Sequence, residues 1–401
     1  MTNRVRFILI TSSCIVVFYI VLGGLLGKND SSSEKTYRNL GVYSEVLSRI
    51  KNEYVTEPDL KKVTGGAIRG LLEALDPYST YFTPQEYQEY LRQPVPGPAS
   101  VGIFIAKRLG FATVISVLPG SPAEKAGVRP GDLIDRVDNA ATRELSVVQI
   151  QRLLAGPAGS TVTLTLVREA RGEPQKYPIT RALLVYPPVV SKELEESAGY
   201  IRVATFDKGK AKEIASQIKE LVAHGANKIV LDLRNCAGGE PEEAVDTAGL
   251  FLDKGLVGYL SGQRYPRHDL AVNSAGDVCK LPVAVLINQS TAGPAELLAS
   301  AIQGNKRGEV IGVRSFGVGV YQKVITLDDG SALLLSVAKY YGPDGKAIQD
   351  NGVTPSVIET SAGQAEDDDS ESNEPEQFGG KDDQQLRKAI EVLSQKPAKA
   401  A

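Results

Sequence analysis

The sequence predicts an α+β multidomain protein: a small helical subdomain, a strand-rich module inserted after it, and a larger α/β core. Three observations predict this. Apolar residues recur at three- and four-residue spacings between Thr36 and about Gln93. A proline-rich break, Pro94-Val95-Pro96-Gly97-Pro98, is followed by short runs of β-type residues. From Tyr186 onward, strand-like and helix-like runs alternate. At roughly 150 residues per domain, 401 residues allow two to three folded units, each long enough for a real core.

Composition removes several function classes. The net charge is −3, from 45 Lys+Arg against 48 Asp+Glu, and no long basic run is present. That balance argues against nucleic acid as the main partner. Two histidines (His224, His268) and three scattered cysteines (Cys14, Cys236, Cys279) form no zinc-ligand cluster of familiar spacing and exclude a disulfide scaffold. Neither metal nor organic cofactor is expected. The two histidines disfavour a histidine-based triad without excluding it, and Cys236 with Cys279 is the one pair open to the main body.

The elements follow in order. Arg4 and Arg6 precede an apolar run from Phe7 to Gly27, 21 residues or roughly 31 Å as a helix, the thickness of a bilayer core. No A-x-A-like cleavage site is evident, so residues 1–28 are expected to be an uncleaved single-span anchor. The leading charges place the bulk of the chain extracytoplasmic, periplasmic if Gram-negative. Residues 29–35 are a polar tether. Within the helical subdomain, 36–95, Val42, Val46, Leu47, Ile50 and Tyr54 mark one helix, and Ala67, Ile68, Leu71, Leu72 and Leu75 a second. Asp76-Pro77 stops that second helix. Thr83-Pro84-Gln85-Glu86 opens another, with Thr83 as N-cap.

In the module over 96–185, strands are expected at Val101–Ile105, Ala112–Val117, Asp132–Val137 and Thr161–Val167. A short helix begins at Ser121-Pro122 and a second runs from Val147 to Leu154. In the core over 186–360, strands are expected at Tyr200–Thr205, Lys228–Leu233 and Pro282–Asn288, and helices at Lys210–Ala223, Pro241–Phe251 and Pro294–Gln303. Residues 361–381 are acidic and read as disordered. Residues 382–401 form a short amphipathic helix and tail.

The run Gly120-Ser121-Pro122-Ala123-Glu124-Lys125-Ala126-Gly127-Val128-Arg129-Pro130-Gly131-Asp132-Leu133-Ile134, with Val101-Gly102-Ile103-Phe104-Ile105 before it, resembles the signature of a PDZ domain. Within that resemblance, Ser100, Val101, Gly102 and Ile103 form the loop that offers backbone N–H groups to a peptide's terminal carboxylate, and the strand after it takes the peptide as an added strand. Gly102 supplies the small residue needed where backbone meets ligand.

Three blocks beyond it resemble the carboxyl-terminal processing peptidases, also called tail-specific proteases: Ile229 to Gly239, Asn288 to Gln303, and Ser315-Phe316-Gly317-Val318-Gly319-Val320-Tyr321-Gln322. The resemblance runs in family order from Thr36 to Glu359. It implies a PDZ β-barrel-like domain beside an α/β core of the ClpP/crotonase-like peptidase kind, and serine peptidase chemistry with a Ser nucleophile, a Lys base and a Gln that positions the Lys. The family Ser stands three residues before a Glu. With Glu296 at that Glu, the nucleophile position holds Gly293. The family Lys stands four residues before a Gln. With Gln322 there, the base position holds Val318.

Glycine cannot form an acyl-enzyme and valine cannot accept a proton. The next residue, Pro294, has no N–H to offer an oxyanion beside the turn Gly238-Gly239, and losing one such donor typically costs ~10²–10³ in rate. The chain therefore reads as a dyad-lacking pseudoprotease that binds protein or peptide C-termini in a binding, scaffolding or regulatory role, with an active homologous protease as a further possible partner. The competing readings are an active serine endopeptidase using relocated residues (Ser290 or Thr291 with Lys306 or Lys323) and a structural subunit whose groove is a packing surface. Asp232, Arg234 and Gln322 are read as structural polar residues.

Overall fold

The computed structural model describes residues 31–92, 99–108, 110–168, 172–272, 279–360 and 378–395. The chain divides into two compact units, one up to Ala67 and one from Ile68 onward. The first unit holds helix α1 (Ser31–Glu53) and the start of α2 (Leu60–Glu73). The expected membrane placement is corrected here. Among the described residues no helix is long and apolar enough to cross a membrane, and the span expected over 7–27 lies outside them. The longest described helix, α1, has the length for a span at 23 residues. It carries Arg49, Lys51 and Glu53 near its end, however, and burying such charges in hydrocarbon is costly.

The second unit opens with the rest of α2, followed by β1 (Thr80–Phe82) and α3 (Pro84–Arg92). The reciprocal bonds at the start of α3 form a capping box: Glu86 N donates to Thr83 Oγ1 at 3.3 Å, and Thr83 N donates to Glu86 Oε2 at 2.8 Å. The 36–93 region is not all helical, because β1 pairs antiparallel with a strand more than 250 residues later, Thr80 opposite Leu334. Its three residues are all buried, so burial rather than local periodicity makes it a strand.

The strand-rich module comprises β2 (Ala99–Ser100), β3 (Ile103–Arg108), β4 (Phe111–Val117), α4 (Pro122–Lys125), β5 (Leu133–Val137), β6 (Ala140–Ala141), α5 (Val147–Leu154), β7 (Thr161–Val167), β8 (Gln175–Thr180) and β9 (Ala182–Leu183). Its main sheet has the order β3-β4-β5-β7-β8, with β6 on β5. Ser146 and Gln149 form a capping box at the start of α5. Val147, Ile150 and Leu154 turn inward onto the sheet, the spacing expected of an amphipathic helix.

The core comprises β10 (Val190–Leu194), β11 (Ala198–Arg202), α6 (Lys210–Ala223), β12 (Lys228–Asp232), α7 (Pro241–Ala248), β13 (Leu256–Ser261), β14 (His268–Ala271), β15 (Val283–Ile287), α8 (Pro294–Gly304), β16 (Gly308–Gly312), β17 (Val320–Thr326), β18 (Ala332–Tyr341), β19 (Val357–Ile358) and α9 (Gln384–Gln395). One sheet runs β10-β11-β12-β15-β16-β19, parallel except for β10. A second sheet joins β1, β18, β13 and β14, with β17 on β18.

Strands β12 and β15 are buried throughout, as a parallel sheet covered on both faces requires. Period-two alternation then sorts their side chains. Ile229, Leu231, Val283, Val285 and Ile287 enter the cluster under α6 to α8, while Val230, Ala284 and Leu286 meet Leu386, Ala389 and Leu393 of α9. Helix α9 thus covers the second face of the sheet. Of the acidic segment over 361–381, residues 361–377 lie outside the described residues. Phe378 is ordered, its ring 4.4 Å from the guanidinium of Arg202 and 4.3 Å from that of Arg234.

Candidate active site

The carboxyl ends of neighbouring parallel strands in an open α/β sheet are where loops can converge on a ligand. At the end of β15 the chain turns at Gly293 and enters α8 through Pro294. Gly293 has φ +65° and ψ −121°, a conformation that side chains resist. Pro294 suits the first helical turn, where its missing N–H has no intrahelical partner to lose. Glu296 is fully buried. Its Oε2 accepts from Gly293 N at 2.9 Å and from Val318 N at 2.8 Å; its Oε1 accepts from Gly317 N at 2.7 Å and from Ser315 Oγ at 2.5 Å. Gly293 and Val318, the positions expected for nucleophile and base, are therefore bound, through their backbones, to one carboxylate oxygen. Burial pushes the Glu296 carboxyl up to about 7, while these four donors pull it the other way.

Beside this clasp lies a cavity of about 180 Å³ bordered by Gly239, Gly293, Pro294 and Val318. Leu297, Val320 and Ile348 complete its apolar wall, and Tyr340 is the one lining residue with a polar side-chain atom. Gly238 and Gly239 have φ +77° and +100°. A Cβ on Gly239 would lie 2.2 Å from the Phe206 carbonyl, and one on Gly238 would lie 2.1 Å from the Phe104 ring. Glycine is thus required at both places by close approach as well as by conformation. Phe206 N donates to Gly238 O at 3.2 Å and Glu240 N donates to Phe206 O at 2.8 Å, fixing the turn.

The other polar residues singled out in the sequence stand apart from this cavity. Gln322 Nε2 donates to the backbone carbonyl of Tyr78 at 2.9 Å, tying β17 to the turn after Asp76. Arg234 is buried; it donates to both oxygens of Asp232, at 2.9 and 2.6 Å, and to both oxygens of Asp383, at 2.9 and 2.6 Å. Tyr200 Oη adds a 2.6 Å bond to Asp232. This network fastens α9 to the end of β12. Asp383, 149 residues from Arg234, had no signal in the sequence.

Thr291 Oγ1 donates to Leu233 O at 2.8 Å and accepts from Asn288 N at 3.0 Å. The Ser290 N–H donates to Asn288 Oδ1 at 3.1 Å. Lys306 is exposed in the turn after α8, and Lys323 is exposed on β17 beside the half-buried Gln322. None of these four side chains borders the cavity. Cys236 and Cys279 are free thiols, each pushed up by burial. His224 lies 3.0 Å from Glu193 on the surface and His268 is exposed.

On the PDZ side, β3 pairs with β4 alone among the described strands, so its other edge is unpaired. Gly102 has φ +84°, and a Cβ there would lie 2.3 Å from that of Ser121, the N-cap of α4. Only glycine lets the chain pass under that cap. Ser100 pairs with Ala182, Val101 is buried, and Ile103 begins the open-edged strand. The same strand reaches the cavity region. The Phe104 ring lies on Gly238, and Ser116 Oγ donates to Asn235 O at 2.5 Å. Ile103 and Phe104 pack in one apolar cluster with Ala237, Ala292, Phe316 and Val318. The module thus rests closed against the turn that borders the cavity.

Comparison with known proteins accords with this architecture. Residues 197–358 match the family described as Peptidase family S41, and residues 113–168 match a PDZ domain. A carboxy-terminal-processing protease of Bartonella bacilliformis is 31% identical over 336 residues, covering 82% of this chain and 76% of that protein. The carboxy-terminal processing protease CtpA of Bacillus subtilis is 31% identical over 354 residues, covering 87% and 74%. The solved structure of a photosystem II D1 C-terminal processing protease superposes with a TM-score of 0.67 at 29% identity, over 79% of this chain and 92% of that one. On the matched core, the PDZ domain and the share of both chains covered, this protein belongs to peptidase family S41, among the carboxy-terminal processing proteases.

Proposed function

We propose that this chain is a proteolytically silent member of its family, which captures protein C-termini through the PDZ module and holds or presents them without cutting. One observation carries the reading. Gly293 and Val318 meet at one carboxylate oxygen and border one cavity, and neither has a side chain able to attack or to take a proton. Acyl transfer needs a nucleophile and a base within about 3 Å of each other. Thr291 already uses its hydroxyl on Leu233, and Lys306 and Lys323 stand away from the cavity. Pro294 removes a backbone donor at the place where an oxyanion would form.

Capture of a C-terminus would rest on different residues. The unpaired edge of β3 can accept an extended peptide, and the loop Ser100-Val101-Gly102-Ile103 stands at its start. Such a peptide, presented close to Phe104 and Gly238, would lie at the mouth of the cavity. The role is then that of a binding, scaffolding or regulatory protein, with an active homologous protease among its possible partners.

The deciding experiment is cleavage of an unfolded protein by the full chain, beside the Gly293→Ser/Pro294→Ala/Val318→Lys variant. The native chain is expected to be inert and the triple variant to cut. Cleavage by native protein freed of contaminating proteases would sink the reading. Capture is tested separately with a peptide carrying a free or an amidated C-terminus; amidation should abolish binding, and equal binding of both forms would exclude carboxylate recognition.

A further inference from the structure

A second cavity, of about 590 Å³, adjoins the first, and Pro241 and Tyr340 border both. Its wall joins three tyrosines to two carboxylates. Tyr321 on β17 stands opposite Ala338 of β18, so Tyr340, two residues on, is its diagonal neighbour on the same face of the sheet. Tyr265 extends the aromatic wall, its ring centroid 5.4 Å from that of Tyr321 and the two planes inclined at 56°. Glu242 and Asp246 of α7 border the same space, one helical turn apart. Burial, and then the charge of Glu242, push the Tyr340 hydroxyl up to about 12, so that carboxylate lies within electrostatic reach of the ring.

The two acids do little for the fold. Both are exposed. Glu242, in the first turn of α7, complements the helix dipole, but Asp246 lies a turn further on, and like charges four residues apart weaken a helix. Asp269, which also borders the cavity, is held by Arg267 at 2.6 Å, whereas among the described residues Glu242 and Asp246 form no ion pair. Nor do the acids converge as ligands, since among the described residues no three His, Cys, Asp or Glu side chains are grouped to hold a metal ion. Aromatic faces beside carboxylates attract an organic cation, because the ring quadrupole and the charges act in the same direction.

We infer that this second cavity takes the cationic head of a lysine or arginine side chain on a captured peptide. One extended segment can reach both cavities, because side chains two residues apart on a strand share a face at a separation of roughly 7 Å. That a captured peptide delivers the cation rests on the reading proposed above; the preference of the cavity for a cation does not.

The test is titration of the full chain with a labelled serine-alanine peptide carrying one arginine, moved in turn through its last ten positions. The same peptides with citrulline keep the shape and lose the charge, and every peptide is made with a free and with an amidated C-terminus. At its best position arginine should bind about 10-fold more tightly than citrulline in low salt, the gain expected of a cation among exposed rings and carboxylates. Glu242→Gln/Asp246→Asn should cut that preference to about 3-fold, the share left to the rings, with circular dichroism unchanged. Glu45→Gln/Glu53→Gln on α1 removes the same charge outside the cavity and should leave the preference whole. An arginine preference that is the same in the free and amidated peptides supports the cavity while sinking carboxylate capture. Amidation that abolishes binding, with arginine and citrulline equal at every position of the free peptides, leaves capture standing and overturns the inference. So does the absence of binding by any peptide at millimolar concentration, a full preference in Glu242→Gln/Asp246→Asn, or an equal fall in both variants.

Discussion

The carboxylate clasp at Glu296 and the cavity beside it share two walls and differ in everything else. At the clasp, a buried acid accepts four hydrogen bonds from three backbone N–H groups and a hydroxyl. In the cavity, apart from Tyr340, the lining residues offer glycine, proline and aliphatic surface. Gly293 and Val318 belong to both. They serve the clasp with their backbones, which any residue but proline can do, and face the cavity with whatever side chain they carry. Positions that hold two loops together are therefore separable from the atoms that would react there. On the reading proposed above, chemistry was removed from the side chains while the frame stayed closed.

The sharpest way to break this comparison is to remove the acid. Glu296→Ala leaves four donors without that acceptor, two of them on the buried Ser315 and Gly317, and each buried orphan costs roughly 1–3 kcal/mol unless water enters. A loss of about 3–5 kcal/mol in chemical denaturation is expected, large by the standard of single substitutions. A loss below about 1 kcal/mol would mean that the loops 288–293 and 315–318 are held by something else.

The second test uses pH. The Glu296 carboxyl stands at about 7 in the folded protein against an ordinary 4.5. Between those values the unfolded chain releases its proton while the folded one keeps it, so stability falls as pH rises. The stabilisation is complete below about 4.5 and is lost as pH passes 7; its size is on the order of 3 kcal/mol. Urea midpoints measured from pH 4.5 to 8 should decline, and Glu296→Gln should flatten that part of the slope. An unchanged slope in the variant would show that other groups set it.

What could be read from the sequence was whatever is encoded within a few residues. Helix α5 and strand β7 fall at their expected limits because Ser146 and Gln149 cap the one and Thr/Leu alternation marks the other. Thr83 and Glu86 are a local pair as well. Gly293, Val318 and Gln322 were found by motif spacing, and the structure brings the first two together. The pairing of β1 with β18, the bond from Gln322 to Tyr78, and the hold of Asp383 on Arg234 join residues 149 to 254 positions apart. No local pattern announces such partners. Strands β13, β14, β17 and β18 were missed for a related reason: their burial alternates irregularly, and the register shifts within β13 and β17 break the period that would mark them.

A smaller effect is expected at the shared wall itself. Gly293 has open space where a Cβ would go, so Gly293→Ser introduces no clash. Its φ of +65° nevertheless strains any side chain, at roughly 1–3 kcal/mol. Thermal unfolding of the single variant should reveal that cost, and it should appear with no gain in proteolysis while Val318 stays in place. Cleavage by Gly293→Ser alone would identify a base elsewhere and undo the separation between frame and chemistry.

The smallest effect separates a side chain that faces the cavity from one that fills the core. Val318 is half-buried and borders empty space, so Val318→Ala deletes two methyl groups that have few neighbours on one side. Its backbone N–H still reaches Glu296 Oε2. A loss of about 0.5–1 kcal/mol is expected, below the ~1.6 kcal/mol that two fully buried carbons would give at roughly 0.8 kcal/mol each. Val285 is the control, fully buried in β15 among the residues beneath α6 to α8. There the same deletion opens a new void as well as removing contacts, and about 2–3 kcal/mol should be lost. If both variants lose equally in denaturant titrations, Val318 is packed as a core residue and the cavity is no vacancy. If the difference holds, the site tolerates changes at Val318 that the sheet behind it does not.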